Sequence, residues 1–230
     1  MWSGGSGWPR RWGRKVPCGC VLMAYVGFAT ILDGTPGTFR YEIERWSNDS
    51  WGLHNIQRDR MRGETAVRAD GSRSNRVEQE SFRYFFVPTG KRWVFRSLYL
   101  RSEGVWYQID EEERTVSGGP CGCTWEDDRV VADDGRCSRA AARYGMTERV
   151  GYGRVIGYEV ARYQSEDGYS EIAFSTGLGC QVMEKVETTP GTLGIPGSKW
   201  HYRLTGYTAG EPDAAKFRLP EGYRVMSRPM

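Results

Sequence analysis

The run TFRYEIERW, residues 38–46, sets Phe39, Tyr41 and Ile43 at every second position with Arg40, Glu42 and Glu44 between them. A period of two belongs to a strand with one face buried and one in water, because successive side chains of a strand point to opposite faces. On a helix of about 3.6 residues per turn the same residues would be scattered around the axis.

Extended runs of this kind recur along the chain. GETAVRADGSRSNRVE carries Asp70-Gly71, a pair that predicts a two-residue hairpin turn. SFRYFFVPTGKRWVFRSLYL predicts a second hairpin turning at Pro88-Thr89-Gly90, and GVWYQIDEEERTVSGG a third turning over Asp110–Arg114. GRVIGYEVARYQ, YSEIAFST, CQVMEKVET and KWHYRLTGYT read as further short strands bounded by Gly, Pro or Asp. So many short strands predict a β-sandwich or barrel. Helix signals are few. SRAAARYG has Ser138 to cap, three alanines to propagate and Gly145 to terminate, and a brief turn is expected to start at Asp213 in EPDAAKF.

The first 35 residues stand apart. Arg10, Arg11, Arg14 and Lys15 precede a mostly apolar run from Val16 to Leu32, which is the layout of an export signal. The run is short for a membrane span, so a cleaved signal is the first reading and an uncleaved anchor the second. Residues 36–230 are then expected to form a single β domain. The whole chain has 32 Lys and Arg against 29 Asp and Glu; four of the basic residues and one acidic residue fall before residue 36, which leaves 28 of each. A balanced remainder lacks the basic footprint that nucleic-acid binding needs.

In an oxidising compartment Cys121, Cys123, Cys137 and Cys180 are expected to form two disulfides. A bridge between Cys121 and Cys123 would be strained. Two pairings remain: Cys121–Cys180 with Cys123–Cys137, which is favoured, or Cys121–Cys137 with Cys123–Cys180. One residue between Cys121 and Cys123 is tighter than zinc spacing usually allows, so no metal is expected.

The common catalytic signatures are absent from the sequence, and no cofactor is expected. His54 lies in a polar run, and His201 is out of phase with Trp200 and Tyr202, as a solvent-facing sheet histidine would be. The acidic run at 110–114 reads as a solvated hairpin tip; a carboxylate-dependent hydrolase would need two carboxyls facing each other across a cleft. Asp127, Asp128, Asp133 and Asp134 read as a solvated loop in preference to a calcium loop.

The excess is in aromatic residues. Phe82, Tyr84 and Phe86 are expected on one strand face, Trp93 and Phe95 on one face of the next, with Phe39, Tyr41 and Trp106 on other strands. Tyr158, Phe174, Trp200 and Tyr202 extend the set. These side chains either fill a closed core or line an apolar cavity open to a ligand.

Trp106, Tyr107, Asp110 and Val116 lie in a hairpin that resembles one in the periplasmic outer-membrane lipoprotein carrier (LolA-like) superfamily. The ending, with Pro212-Asp213, Phe217, Leu219-Pro220 and Gly222-Tyr223, resembles the C-terminus of uncharacterised secreted bacterial relatives of those carriers, as does GRVIGYEVARY followed by TGLGCQVMEK. The resemblance implies a mainly β fold, a curved antiparallel half-barrel sheet with one or two short helices and an apolar concave face. It also implies a non-enzymatic exported binding protein, periplasmic or secreted, for a lipid, acyl chain or other hydrophobic ligand. An envelope stress sensor or scaffold contacting another envelope protein is the alternative, touching the membrane only through residues 1–32 where these are retained. The chain lacks the carriers' amphipathic N-terminal helix and adds cysteines.

Overall fold

The computed structural model describes residues 36–47, 57–83, 87–120, 137–189 and 197–227. Twelve strands form one sheet that does not close into a barrel: β1 (Gly37–Ser47), β2 (Gln57–Val67), β3 (Arg73–Arg83), β4 (Val87–Leu100), β5 (Val105–Asp110), β6 (Thr115–Pro120), β7 (Met146–Val155), β8 (Tyr158–Ser165), β9 (Ser170–Ser175), β10 (Gln181–Thr189), β11 (Ser198–Ala209) and β12 (Arg224–Ser227). A helix, α1 (Ser138–Arg143), precedes β7, and single 3-10 turns span Thr176–Leu178 and Ala214–Phe217. The strand order is β12-β6-β5-β4-β3-β2-β1-β11-β10-β9-β8-β7, so β1 and β11 join two antiparallel meanders at the middle. A mainly β sheet with few helices is the expected class.

The chain crosses the sheet once more at its end. After β11 it runs over the outer face, where Phe217 packs with Ala66, Leu98, Ile109 and Val116, and Leu219 and Tyr223 pack against that cluster. Arg68 sits over the Phe217 ring at 5.4 Å and binds Glu211 at 2.8 Å, which pins the strap down. It ends as β12, parallel to β6, the one parallel pair among the described strands. A crossing connection of this kind is what parallel pairing requires.

Each strand segregates its two faces as the alternation in β1 demands. One outer row reads Glu184, Arg203, Glu42, Arg62, Glu78 across β10, β11, β1, β2 and β3, with opposite charges side by side. The next reads His201, Glu44, Arg60, Glu80, Arg92. Arg62 binds Glu42 at 3.0 Å, Arg58 and Arg60 bind Glu44 at 2.7 and 3.2 Å, and Glu78 pairs with both Arg76 and Arg92. Exposed pairs like these contribute little each, and they keep the wet face neutral. His201 is on this face, out of phase with Trp200 and Tyr202 as expected, with Nε2 3.0 Å from Glu184 Oε1.

Several turns differ from expectation. The β2–β3 hairpin exists, but its register pairs Val67 with Arg73, which makes residues 68–72 a five-residue loop. Gly71 alone there has positive φ, and Asp70 Oδ1 instead accepts from the Ser72 N–H at 2.7 Å. Pro88-Thr89-Gly90 is not a turn: β4 runs through it, and Phe82 pairs with Pro88 and Arg83 with Val87. GRVIGYEVARYQ is not one strand, since Ile156 and Gly157, with φ of 45° and 87°, turn β7 into β8. Cys137, not Ser138, occupies the position before α1 and makes no side-chain cap. The hairpin over Asp110–Arg114 and the turn capped by Asp213, which accepts from the Ala215 N–H at 2.9 Å, are as expected.

The disulfide pairing also differs. Cys137 is bonded to Cys180 with Cα atoms 5.4 Å apart, a bond that neither expected pairing contains. Both cysteines have positive φ and are buried, and the bond staples the start of α1 to the start of β10. Cys121 and Cys123 lie outside the described residues, as do residues 1–35, His54 and the four aspartates at 127–134.

Candidate functional site on the aromatic face

The inner face of the sheet is built from cross-strand rows, each strand giving one side chain per row. The longest reads Tyr163, Ile172, Lys185, Tyr202, Ile43, Met61, Gln79, Trp93 from β8 to β4. Its β8–β1 half is closed: Tyr163, Ile172, Tyr202 and Ile43 are buried beneath a cluster that includes Ala140 and Ala141 of α1. Its other half opens, because Met61 and Gln79 are half-buried and Trp93 is 36% exposed. Phe95, one row away and opposite Val77, is also half-buried.

Aromatic rings knit the closed half. Phe39 stacks on Tyr207 with centroids 4.7 Å apart, Tyr158 meets Tyr207 edge-on at 6.2 Å, and Tyr41 leans on Tyr202 at 5.5 Å. Trp200 lies parallel to Tyr202 at 6.2 Å, and Phe174 contacts Tyr144 and Tyr163. Such pairs contribute about 0.5–1.5 kcal/mol each beyond the area they bury. The Lys185 ammonium sits over Tyr144 and Trp200 at 5.6 and 5.7 Å and pairs with Glu187 at 2.5 Å, which offsets the cost of burying a cation.

The polar atoms of this face are unevenly satisfied. Tyr41 donates to Asn75 Oδ1 at 2.9 Å and Thr65 donates to the same oxygen at 3.0 Å. Burial outweighs these bonds and pushes the Tyr41 phenol up to about 12. The Tyr202 phenol is raised further, by burial first and then by the neighbouring Tyr41 and Tyr144. Its hydroxyl and the Trp106 indole N–H are buried without a hydrogen-bond partner. Asp59, buried in the row of Arg45 and Trp200, accepts from Ser81 Oγ at 2.5 Å.

The expected ligand-lining residues therefore fall into distinct places. Phe39, Tyr41, Phe174 and Tyr202 are core, while Trp106 is buried on the inner side of β5. Tyr158 and Trp200 are half-buried at the border of the core. Trp93 and Phe95 share the open half. Phe82 does not join them: it pairs with Arg58 on the charged face, because Ser81 takes the inner position opposite Asp59. Tyr84 and Phe86 lie outside the described residues. Met61 and Gln79 were missed, since neither is aromatic, and only the cross-strand register brings them beside Trp93. The acidic run at 110–114 is a hairpin tip, with Asp110 Oδ1 accepting from the Glu113 N–H at 2.8 Å.

A second depression, of about 390 Å³, lies on the outer face between Arg40, Arg62, Arg76, Glu42, Glu64 and Glu78. Its charges are matched by one another, and Glu64 also pairs with Lys216 of the C-terminal strap. Among the described residues no helix is long and apolar enough to cross a membrane.

No family model and no curated protein matches the chain. Solved structures similar to it include PNGF-II, at 8% identity and a TM-score of 0.32 over 84% of this chain and 32% of that one. They also include an outer membrane lipoprotein-sorting protein domain from Vibrio parahaemolyticus, at 8% identity and a TM-score of 0.25 over 86% of this chain and 95% of that one. A LolA superfamily protein from Nitrosomonas europaea is similar at 8% identity and a TM-score of 0.26 over 83% of this chain and 93% of that one. The chain thus spans about a third of the length of PNGF-II and most of the length of the other two. Its structural neighbours include the superfamily that the hairpin at 104–119 resembles. At overlaps this low, what the chain holds must be read from its own two faces.

Proposed function

We propose that this protein is an exported binding protein that holds a lipid, acyl chain or other hydrophobic ligand against the open half of its aromatic face. The observation that carries the reading is the row from Tyr202 to Trp93, in which a face with no charged side chain emerges from its cover: Tyr202 and Ile43 are 1% exposed, Met61 and Gln79 are half-buried and Trp93 is 36% exposed. A half-open apolar strip beside a rigid core is the form a hydrophobic ligand site takes. The Cys137–Cys180 bond supports an extracytoplasmic location, where disulfides persist. Binding, and not catalysis, is the role these side chains suit, since Met61, Trp93 and Phe95 offer area and shape and no acid, base or nucleophile.

The test is the intact mass of the oxidised protein, purified natively from an oxidising compartment, before and after organic extraction. Recovery of lipid or acyl species in stoichiometric amount supports the reading. A protein that comes out bare and takes up no acyl probe refutes it and favours a partner protein on that face.

A further inference from the structure

One row over from Phe95, the inner face changes character. Across β2 to β6 it reads Thr65, Asn75, Ser97, Gln108, Ser117, all uncharged and all able to hydrogen-bond. The first two are satisfied by each other and by Tyr41. The side chains of Ser97, Gln108 and Ser117 are half-buried, and no hydrogen bond joins them to a partner among the described residues. In the next row Trp106 stands between Tyr99 and Gly119, its indole N–H buried and unpartnered. A Cβ added at Gly119 would meet nothing within 4 Å, so the sheet is open at that strand position.

Of these groups only the Trp106 N–H is sealed from water, and a buried donor without a partner is costly; the half-buried Ser97, Gln108 and Ser117 keep donors and acceptors free for a bound molecule. Neighbouring strands lie about 4.8 Å apart and alternate residues along a strand about 7 Å apart. The three side chains therefore form a short polar line directly beside the apolar strip of Phe95 and Trp93. Such a line carries no charge. Arg73, opposite Tyr99, is the nearest inner-face cation, and it is already engaged.

We propose that Ser97, Gln108 and Ser117, with the Trp106 indole beside them, read the uncharged polar head of an amphiphile: hydroxyl and ester oxygens at the end of an apolar chain that lies on Phe95 and Trp93. This rests on the proposed binding function and adds to it the chemistry of the head. A carboxylate or phosphate head would bring a charge to a row with no cation to meet it, and burial would penalise it. Hydroxyl and ester oxygens match the donors and acceptors of two serines, an amide and an indole N–H. A site built to hydrogen-bond a head group discriminates more strongly than one that only fits its chain, because its own polar atoms are left unpaired by the wrong ligand.

The experiment is calorimetric titration of the oxidised protein with monomyristoylglycerol, with myristate and with the myristoyl lysophosphatidic acid, which share one chain. The glycerol ester is expected to bind about tenfold more tightly than either anion, a difference of about 1.4 kcal/mol. Gln108→Leu and Ser97→Val should each erase most of that preference while leaving myristate affinity within about twofold. Melting curves of both variants confirm that they fold. Equal affinity for all three ligands, unchanged in the variants, overturns the head-group assignment and leaves the binding reading standing. Tighter binding of the anions overturns it in favour of Arg73. If none of the three binds, the binding function itself fails and the assignment falls with it.

Discussion

Gly63→Ala should destabilise this protein strongly, through a clash with one buried ring. Gly63 lies on β2 opposite Tyr41, and a Cβ built on it would come within 2.1 Å of Tyr41 Cζ and 2.5 Å of the phenol oxygen. The ring has nowhere to retreat, being 1% exposed, in contact with Tyr202 at 5.5 Å and hydrogen-bonded to Asn75. Overpacking a core by a methyl costs about 1–3 kcal/mol. Moving the ring also gives up a buried hydrogen bond of about 1 kcal/mol and some of a ring contact of about 0.5–1.5 kcal/mol. The expected loss is about 3 kcal/mol. Urea unfolding followed by far-UV circular dichroism would register it as a drop in midpoint of about 1–3 M, since m is about 1–3 kcal/mol/M for chains of modest size. In a Tyr41→Leu background the clash disappears, so the same substitution should cost less than about 1 kcal/mol there. A cost below about 0.5 kcal/mol in the native background, or an equal cost in both, would show that Tyr41 does not cover Gly63.

Three further outcomes are expected. Replacing Cys137 and Cys180 together by alanine frees a chain segment of 43 residues and should lower stability by about 4 kcal/mol on the loop-entropy estimate, seen as a midpoint shift that reducing agent reproduces in the native protein but not in the variant. Burial raises the Glu184 carboxyl, but hydrogen bonds from His201 and Arg162 and their charges outweigh it and hold the group below its ordinary 4.5. The stability it gives is present above the unfolded value and lost as pH falls through the folded one, so the acid limb of a stability-versus-pH curve should be shallower in Glu184→Gln. Tyr41 runs the opposite way: the unfolded phenol ionises near 10 and the folded one near 12, so stability should fall as pH rises past 10, and Tyr41→Phe should flatten that limb.

The charged and apolar faces of β1 could be read from sequence because its alternation is unbroken over seven residues, and His201 could be placed because the same period runs through β11. Turns were harder. Tyr84, Phe85 and Phe86 continue an aromatic run, so nothing polar marked the break between β3 and β4, while Pro88-Thr89-Gly90 offered a turn composition that the strand absorbs. Phe82 lies on the charged face because it continues the phase of Glu78 and Glu80, with Ser81 turned inward. The disulfide is not legible in the sequence: Cys137 and Cys180 meet only because α1 folds over β8–β10, a contact between elements that no local pattern announces. The row of Ser97, Gln108 and Ser117 is invisible for a related reason: its members come from three strands, and register alone makes them neighbours.

The central claim is that a hydrophobic ligand lies against Trp93, and it is tested most directly by quenching with a brominated acyl chain. The oxidised native protein and Trp93→Phe are titrated with the same brominated probe, and their tryptophan emission is compared at saturation. The account predicts that the native protein loses emission that the variant does not, because contact with bromine silences the indole at position 93. Identical quenching in the two proteins, or none in either, would contradict it.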